Sequence, residues 1–268
     1  MTRISEVQPP KNILIIGGSG TGKTSLIGSL IKLVPTLLVT SDLAGVETLR
    51  TMGVDTEIVH IESWANIWDY YKEIAEKSKE YAAIAIDDFG AAQKSVVDKI
   101  ALEPRNWKEE KLAGQKGASA FRNDTMEQIM SGDRVLELQQ YNLLSTATDS
   151  FASAILKLPF RLKLFTCLEA SEDNPRTGEK HLYPALMGRA RVGFSARFSL
   201  VAESFTATLS DKLYYCLSCH SHQRLETKTR FGQGRTWVNP TMEKLLAHIA
   251  RKGEIAEITE ELKIGVGL

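Results

Sequence analysis

The chain has 268 residues, 43% of them hydrophobic and 25% charged, with 33 Lys and Arg balanced by 33 Asp and Glu. That length is ample for a real core, and the proportions exclude disordered, collagen-like and coiled-coil classes. A formal net charge of zero excludes a histone-like basic surface but leaves room for a local basic groove. Three cysteines make no disulfide framework and point to a reducing compartment. The opening Met1-Thr2-Arg3-Ile4-Ser5-Glu6 lacks the apolar run of a signal peptide. The nearest candidate for a membrane span, residues 143–164, is interrupted by Asp149, Lys157 and Arg161. The expectation is a cytoplasmic protein with no membrane contact.

In chain order, residues 12–16 are an apolar run ending in glycines and predict a strand. Residues 25–33 follow as a helix with Leu26, Ile27, Leu30, Ile31 and Leu33 on its apolar side. Strands are expected at 36–40 and 56–61. An amphipathic helix is expected at 67–81, where Trp68, Tyr71, Ile74 and Ala75 recur at helical spacing. Residues 82–86 form a fully apolar strand of the kind covered on both faces, with a helix following from about 91. Residues 103–124 change character, with Pro104, Gly114, Gly117 and many charges, and read as a long excursion. Helices resume near 125 and run to 158 with a break around Ser145-Thr146. A strand at 161–168, a polar loop at 170–183, strands at 194–202 and 209–219 and a hairpin at 227–238 complete the core. Asn239 as N-cap and Pro240 as first helical residue open a C-terminal helix. Alternating strands and helices predict an α/β fold with a mainly parallel central sheet flanked by helices. One domain is expected, with a core over about 12–238, a C-terminal hairpin, and a helical tail at 239–268.

Gly17-Gly18-Ser19-Gly20-Thr21-Gly22-Lys23-Thr24, followed by Ser25, fits the phosphate-binding pattern G-x-x-x-x-G-K-[ST]. The glycines let the backbone curl so that successive N–H groups point at phosphates, and the helix behind adds its positive end. Lys23 is expected at the β- and γ-phosphates and Thr24 on Mg²⁺. The strand 82–86 runs into Asp87 and Asp88, and Asp87 is the expected metal-side acid. Asp88 is less placed, because strand neighbours point opposite ways. Hydrolysis also needs a group to orient the attacking water, and Asp42, Asp88 and Glu169 all follow strands where this is feasible. For Asp42 a helix cap is an equal alternative. No guanine-reading Asn/Thr-Lys-x-Asp motif is present, which favours ATP.

The order P-loop strand, helix, acid-ended strand, strand, helix, Asp87 strand and polar-ended strand resembles the RecA-like P-loop ATPases. Tyr183-Pro184-Ala185-Leu186-Met187-Gly188-Arg189-Ala190-Arg191 and Lys228-Thr229-Arg230-Phe231-Gly232 are similar to the phage-encoded RecA-like proteins, which include single-strand annealing and recombination ATPases. The resemblance runs from Ile13 to about Val238. It implies an Mg²⁺-dependent ATPase acting on single-stranded DNA, assembled as a ring or filament, in the host cytoplasm if phage-encoded. It further implies that Lys228 and Arg230 reach a neighbour's nucleotide, a role that two cations on one strand face would suit. Relatives carry His or Gln where this chain has Thr166-Cys167-Leu168-Glu169, so Thr166 or Glu169 would have to sense the γ-phosphate. The family's DNA-binding loops correspond to 103–124 and 170–188. These hold Arg105, Lys116 and Arg122 with Trp107 and Phe121, then Arg176 and Lys180, with Arg189 just after. Cations interleaved with aromatics suit a single strand. The alternative is a P-loop ATPase with a protein partner and no DNA contact. Cys216, Cys219, His220 and His222 crowd into seven residues, whereas structural zinc takes two separated ligand pairs, so buried thiols at a strand end are expected.

Overall fold

A computed structural model describes residues 11–62, 67–91, 138–173, 180–186, 193–220, 227–231 and 234–250. In chain order the elements are β1 (Lys11–Gly17), α1 (Lys23–Ile31), β2 (Thr36–Thr40), α2 (Leu43–Thr51), β3 (Ile58–His60), α3 (Ile67–Lys77) and β4 (Ala83–Asp87). There follow α4 (Leu138–Lys157), β5 (Leu162–Cys167), β6 (Glu169–Asp173), β7 (Lys180–Pro184), a 3₁₀ turn (Phe194–Arg197), β8 (Leu200–Leu209) and β9 (Lys212–Ser218). Last come β10 (Lys228–Thr229), β11 (Thr236–Val238) and α5 (Met242–Ile249). Among the described residues, no helix is long and apolar enough to cross a membrane.

The main sheet has the order β11-β9-β8-β1-β5-β4-β2-β3, with β10 paired to β8. Six neighbours, β3 to β8 in that order, run parallel. β9 and β10 are antiparallel to β8, and β11 is antiparallel to β9. Every residue of β2, β4 and β5 is buried, which is why these strands are mostly apolar rather than alternating, with Thr36, Thr40, Asp87, Lys163 and Thr166 as buried exceptions. Alternate residues of each strand enter two cores. Ile13, Ile15, Ala83 and Leu164 pack with α1 and α5, whereas Leu14, Ile84, Ile86 and Phe165 pack with α3 and α4. All parallel strands deliver their carboxyl ends to one edge, the usual ligand position in an open α/β sheet.

Several elements depart from the expectation. Helix α2 was not foreseen; it is short, and Asp42 caps it by accepting a hydrogen bond from Ala44 N at 2.9 Å. Residues 170–183 are not simply a loop, since β6 and β7 pair with Glu172 opposite His181 and Asp173 opposite Lys180. β6 is polar except for Ala170, and among its described residues β7 gives the hydrophobic core only Leu182, so no apolar alternation announced them. The strand expected from 194 instead begins at Leu200. Phe194 and Phe198, four apart, both enter the core, which a helical turn allows. α4 runs through Ser145-Thr146 without a break, with Ser145 and Thr148 on its buried side. α5 starts at Met242, capped by Thr241, because Asn239 adopts a left-handed φ of 46° and turns its side chain to β9. The excursion 103–124 lies outside the described residues.

Beneath the carboxyl edge, Phe89, Phe151, Phe165, Phe194 and Phe198 pack ring on ring. Phe165 lies 5.4 Å from Phe89 and 5.2 Å from Phe198 between centroids. Phe89 follows the acid pair by one residue, so this cluster also anchors the end of β4. Phe165→Ala should cost about 3–5 kcal/mol in urea unfolding. On β5, Lys163 is fully buried and its ammonium donates to Phe160 O at 2.6 Å; burial pushes its pKa down to about 8 from 10.5. The unfolded chain therefore binds more protons between these values, and this group adds stability as pH rises from about 8 towards 10.5. Lys163→Met should accordingly gain stability over the parent at pH 7, and the gap should narrow as pH approaches 10.

Candidate nucleotide site

The loop between β1 and α1 is shaped by two close approaches. Gly17 lies against β8, where a Cβ would come within 2.1 Å of Ser204 O, so no other residue fits. Ser204 Oγ then donates to Thr21 O at 2.7 Å and pins the loop from that side. Gly22 has a φ of 90° and no Cβ to meet the Tyr215 ring. It begins α1 without a side-chain cap, so the first N–H groups of the helix need another acceptor. An anion is the natural one, drawn by the helix dipole.

Lys23 is buried, and its Nζ donates to Gly17 O at 2.8 Å and Gly18 O at 2.6 Å. Burial lowers its pKa, and the fields of Asp88 and Asp87 oppose that shift. Thr24 Oγ1 donates to Asp87 Oδ2 at 2.7 Å. From the neighbouring strand, Thr166 Oγ1 donates to Asp87 Oδ1 at 2.5 Å. Both oxygens of a buried carboxylate are thus held by hydroxyls, one from α1 and one from β5. Thr166, one of the two residues considered for γ-phosphate sensing, thus bonds to Asp87 here. The Asp87–Asp88 peptide is cis. Asp88 uses Oδ1 to accept from Gly90 N at 2.9 Å and Leu168 N at 3.3 Å. Burial raises its carboxyl above the ordinary value, offset in part by the Gly90 bond.

These groups surround a cavity of about 400 Å³ lined by Lys23, Thr24, Asp42, Asp87, Asp88 and Tyr215, together with Ser19, Gly20, Gly22 and Ser25. The volume suits a small-molecule ligand. Of the three acids considered for water, Asp42 and Asp88 line the cavity. Glu169, exposed at the start of β6, has Oε1 only 3.6 Å from where a Gly18 Cβ would stand.

Lys228 and Arg230 are not brought to this cavity. β10 ends at Thr229, and Arg230 follows in a bend, with its N–H donating to Ser199 O at 3.0 Å. β10 pairs with Leu200 and Val201, three or more residues short of Ser204, or about 10 Å down the sheet from Gly17. Arg105, Lys116, Arg122, Arg176 and Arg189 lie outside the described residues, as do residues 187–192 of the Pro-x-x-x-Gly-Arg stretch. Lys180 opens β7. Cys216 and Cys219 are buried free thiols, and Cys219 Sγ accepts from Arg235 N at 3.3 Å. Among the described residues no group of three or more such ligands could hold a metal.

Sequence reasoning missed Tyr215 and Ser204. Both reach the loop through strand pairing nearly two hundred residues along the chain, and neither carries a local motif. Removing the Thr166 hydroxyl while keeping its shape tests the Asp87 clamp. Thr166→Val should destabilise the chain by about 1–3 kcal/mol by leaving a buried carboxylate oxygen unbonded, and Thr166→Ser should restore most of it in urea titrations.

Among solved structures the chain is similar to the flagellar accessory protein FlaH from Methanocaldococcus jannaschii, at 14% identity over 80% of each chain with a TM-score of 0.37. It is also similar to the RadB recombinase, at 8% identity over 88% of this chain and 89% of that one, with a TM-score of 0.44. No curated protein matches it. The phosphate loop, the acid-ended β4 and the mostly parallel sheet form a RecA-like P-loop NTPase core. Residues 9–231 match the AAA domain family, and the chain belongs to that family.

Proposed function

We propose that the protein is an Mg²⁺-dependent ATPase. The observation that carries this reading is the junction of Thr24, Asp87 and Lys23 at the mouth of one cavity, behind an uncapped helix. The donor set fits Mg²⁺, a hard cation that takes few protein ligands and keeps phosphate oxygens and waters. Thr24 and Asp87 would hold it, and it would neutralise charge on the triphosphate. Lys23, now satisfied by two loop carbonyls, moves to the phosphates when they arrive. Asp88 is the best placed of the three acids to orient the attacking water, because it lines the cavity and burial raises its basicity. Asp42 already serves as a cap, and Glu169 lies at the rim.

The finer reading is action on single-stranded DNA in phage recombination or annealing, as a ring or filament. Its support is the resemblance and the basic and aromatic residues of 103–124 and 170–188. β6 and β7 rise from the end of β5, on the same edge as the cavity, so a partner bound there would lie near the nucleotide. Lys228 and Arg230 do not line the cavity of their own chain, which supports the reading that they reach towards a neighbouring subunit's nucleotide. The alternative is a protein partner with no DNA contact.

ATP with Mg²⁺ should raise the melting temperature, since a ligand of the native state stabilises it by mass action. Lys23→Ala should abolish that shift and leave the apo transition near its parent value. Asp88→Asn should keep the shift and lose turnover by about 10²-fold or more. Single-stranded DNA should accelerate turnover, with an affinity that falls steeply with salt. An unchanged ATP shift in Lys23→Ala refutes the nucleotide site, whereas turnover indifferent to DNA leaves the ATPase and favours the protein partner.

A further inference from the structure

We infer that the β8–β9 hairpin is the wall against which the nucleotide base rests, and that the ring of Tyr215 stacks on that base. The inference deepens the ATP reading and rests on it.

β1 pairs with β8 only as far as Ser204, opposite Gly17. β11 pairs with β9 only over Cys216 to Ser218. Beyond those points Thr206–Leu209 and Lys212–Tyr215 pair with each other alone. They form an arm that extends past the phosphate loop at the ligand edge of the sheet. Ser210 and Asp211 close it with φ of 49° and 61°, the positive values of a hairpin turn matched to strand twist.

The pairing register fixes which face of the arm looks at the loop. Ser204 pairs with Leu217 and Thr206 with Tyr215, so these four share one face. Ser204 on that face bonds to Thr21, and Leu217 packs in the same core as α1. Tyr215 therefore faces the loop and Tyr214 faces away. The Tyr215 ring lies directly on Gly22, with Cδ1 at 3.1 Å and Cγ at 3.5 Å from where a Cβ would stand. It also lines the cavity, and it remains 42% exposed, which leaves ring surface for a ligand.

The site also has a direction. Thr24, Asp87 and Asp88 mark the end that receives the metal and terminal phosphate, on the β5 and β4 side of β1. β8 and β9 lie on the other side of β1. A triphosphate held by Lys23 with its terminal phosphate near Asp88 thus sends its nucleoside towards the arm. Tyr215 is presented there by a fixed backbone: Asn239 N donates to Tyr215 O at 2.7 Å, and Asn239 Oδ1 accepts from Tyr215 N at 3.3 Å. Lys244 Nζ in turn donates to Asn239 O at 2.9 Å, tying the pair to α5. A flat ring held this way offers stacking without preference among bases.

Calorimetric binding of Mg-ATP and of Mg-tripolyphosphate, which has no base, tests the wall on the full chain, Tyr215→Ala and Tyr215→Phe. Tyr215→Ala should weaken ATP by about 5- to 150-fold and leave tripolyphosphate unchanged, and Tyr215→Phe should bind ATP like the parent. Equal weakening of both ligands by Tyr215→Ala would show a ring that only props the loop and would overturn the inference. So would an unchanged ATP affinity, or a parent chain that binds tripolyphosphate as tightly as ATP; in these cases the phosphate site itself stands. A parent chain that binds neither ligand overturns the phosphate site and the wall together.

Discussion

The carboxylate of Asp87 is where the sheet, the first helix and the ligand edge are joined. A buried carboxylate is costly unless its oxygens are bonded, and here each oxygen takes one threonine hydroxyl. Thr24 comes from α1 and Thr166 from β5, so the acid ties the phosphate-loop helix to two strands of the sheet. Two residues on, Phe89 enters the aromatic cluster with Phe165 and Phe194. The chemistry at the end of β4 and the packing beneath it are therefore parts of one mechanical unit. A substitution in the phenylalanine cluster is felt at the acids through a single short stretch of backbone.

The phosphate loop lies between two walls of opposite character. On one side are Asp87, Asp88 and Glu169, whose charge favours a metal ion and water. On the other are Ser204 and Tyr215, which offer a close backbone, one hydrogen bond and an aromatic face. Lys23 sits between them, held by carbonyls of its own loop until a better acceptor arrives. Gly17 and Gly22 are the two positions where this arrangement leaves no room for a side chain, one against β8 and one against the Tyr215 ring. The arm that carries Tyr215 has little packing of its own, as expected for a two-stranded ribbon beyond its sheet. Asn239 and α5 supply the support that the arm lacks.

Family membership and fold bear differently on function. The AAA domain match spans the stretch that carries Lys23, Thr24 and Asp87. It says less about what the protein acts upon, because most of the residues proposed to meet a partner lie outside the described residues. β6 and β7 form a largely polar ribbon that leaves the end of β5, with Leu182 of β7 packed into the core beside α3 and α4.

The sequence alone was enough to place β1, α1, β2, α3, β4 and β5 and the residues from Gly17 to Thr24. Each is encoded locally, by an apolar run, a helical period or a glycine spacing whose cause lies within a few residues. Asp87 was legible because an apolar strand ran into it. What local pattern did not contain, only the folded chain decided. The cap role of Asp42, the polar pairing of β6 with β7 and the turn at Phe194 depend on neighbours that a short window does not see. Thr166 meets Asp87 from 79 positions away, and Ser204 meets Thr21 from 183. Tyr215 and Tyr214 are indistinguishable as adjacent letters. Strand register sends one ring to the phosphate loop and the other away, because neighbouring side chains on a strand must point to opposite faces.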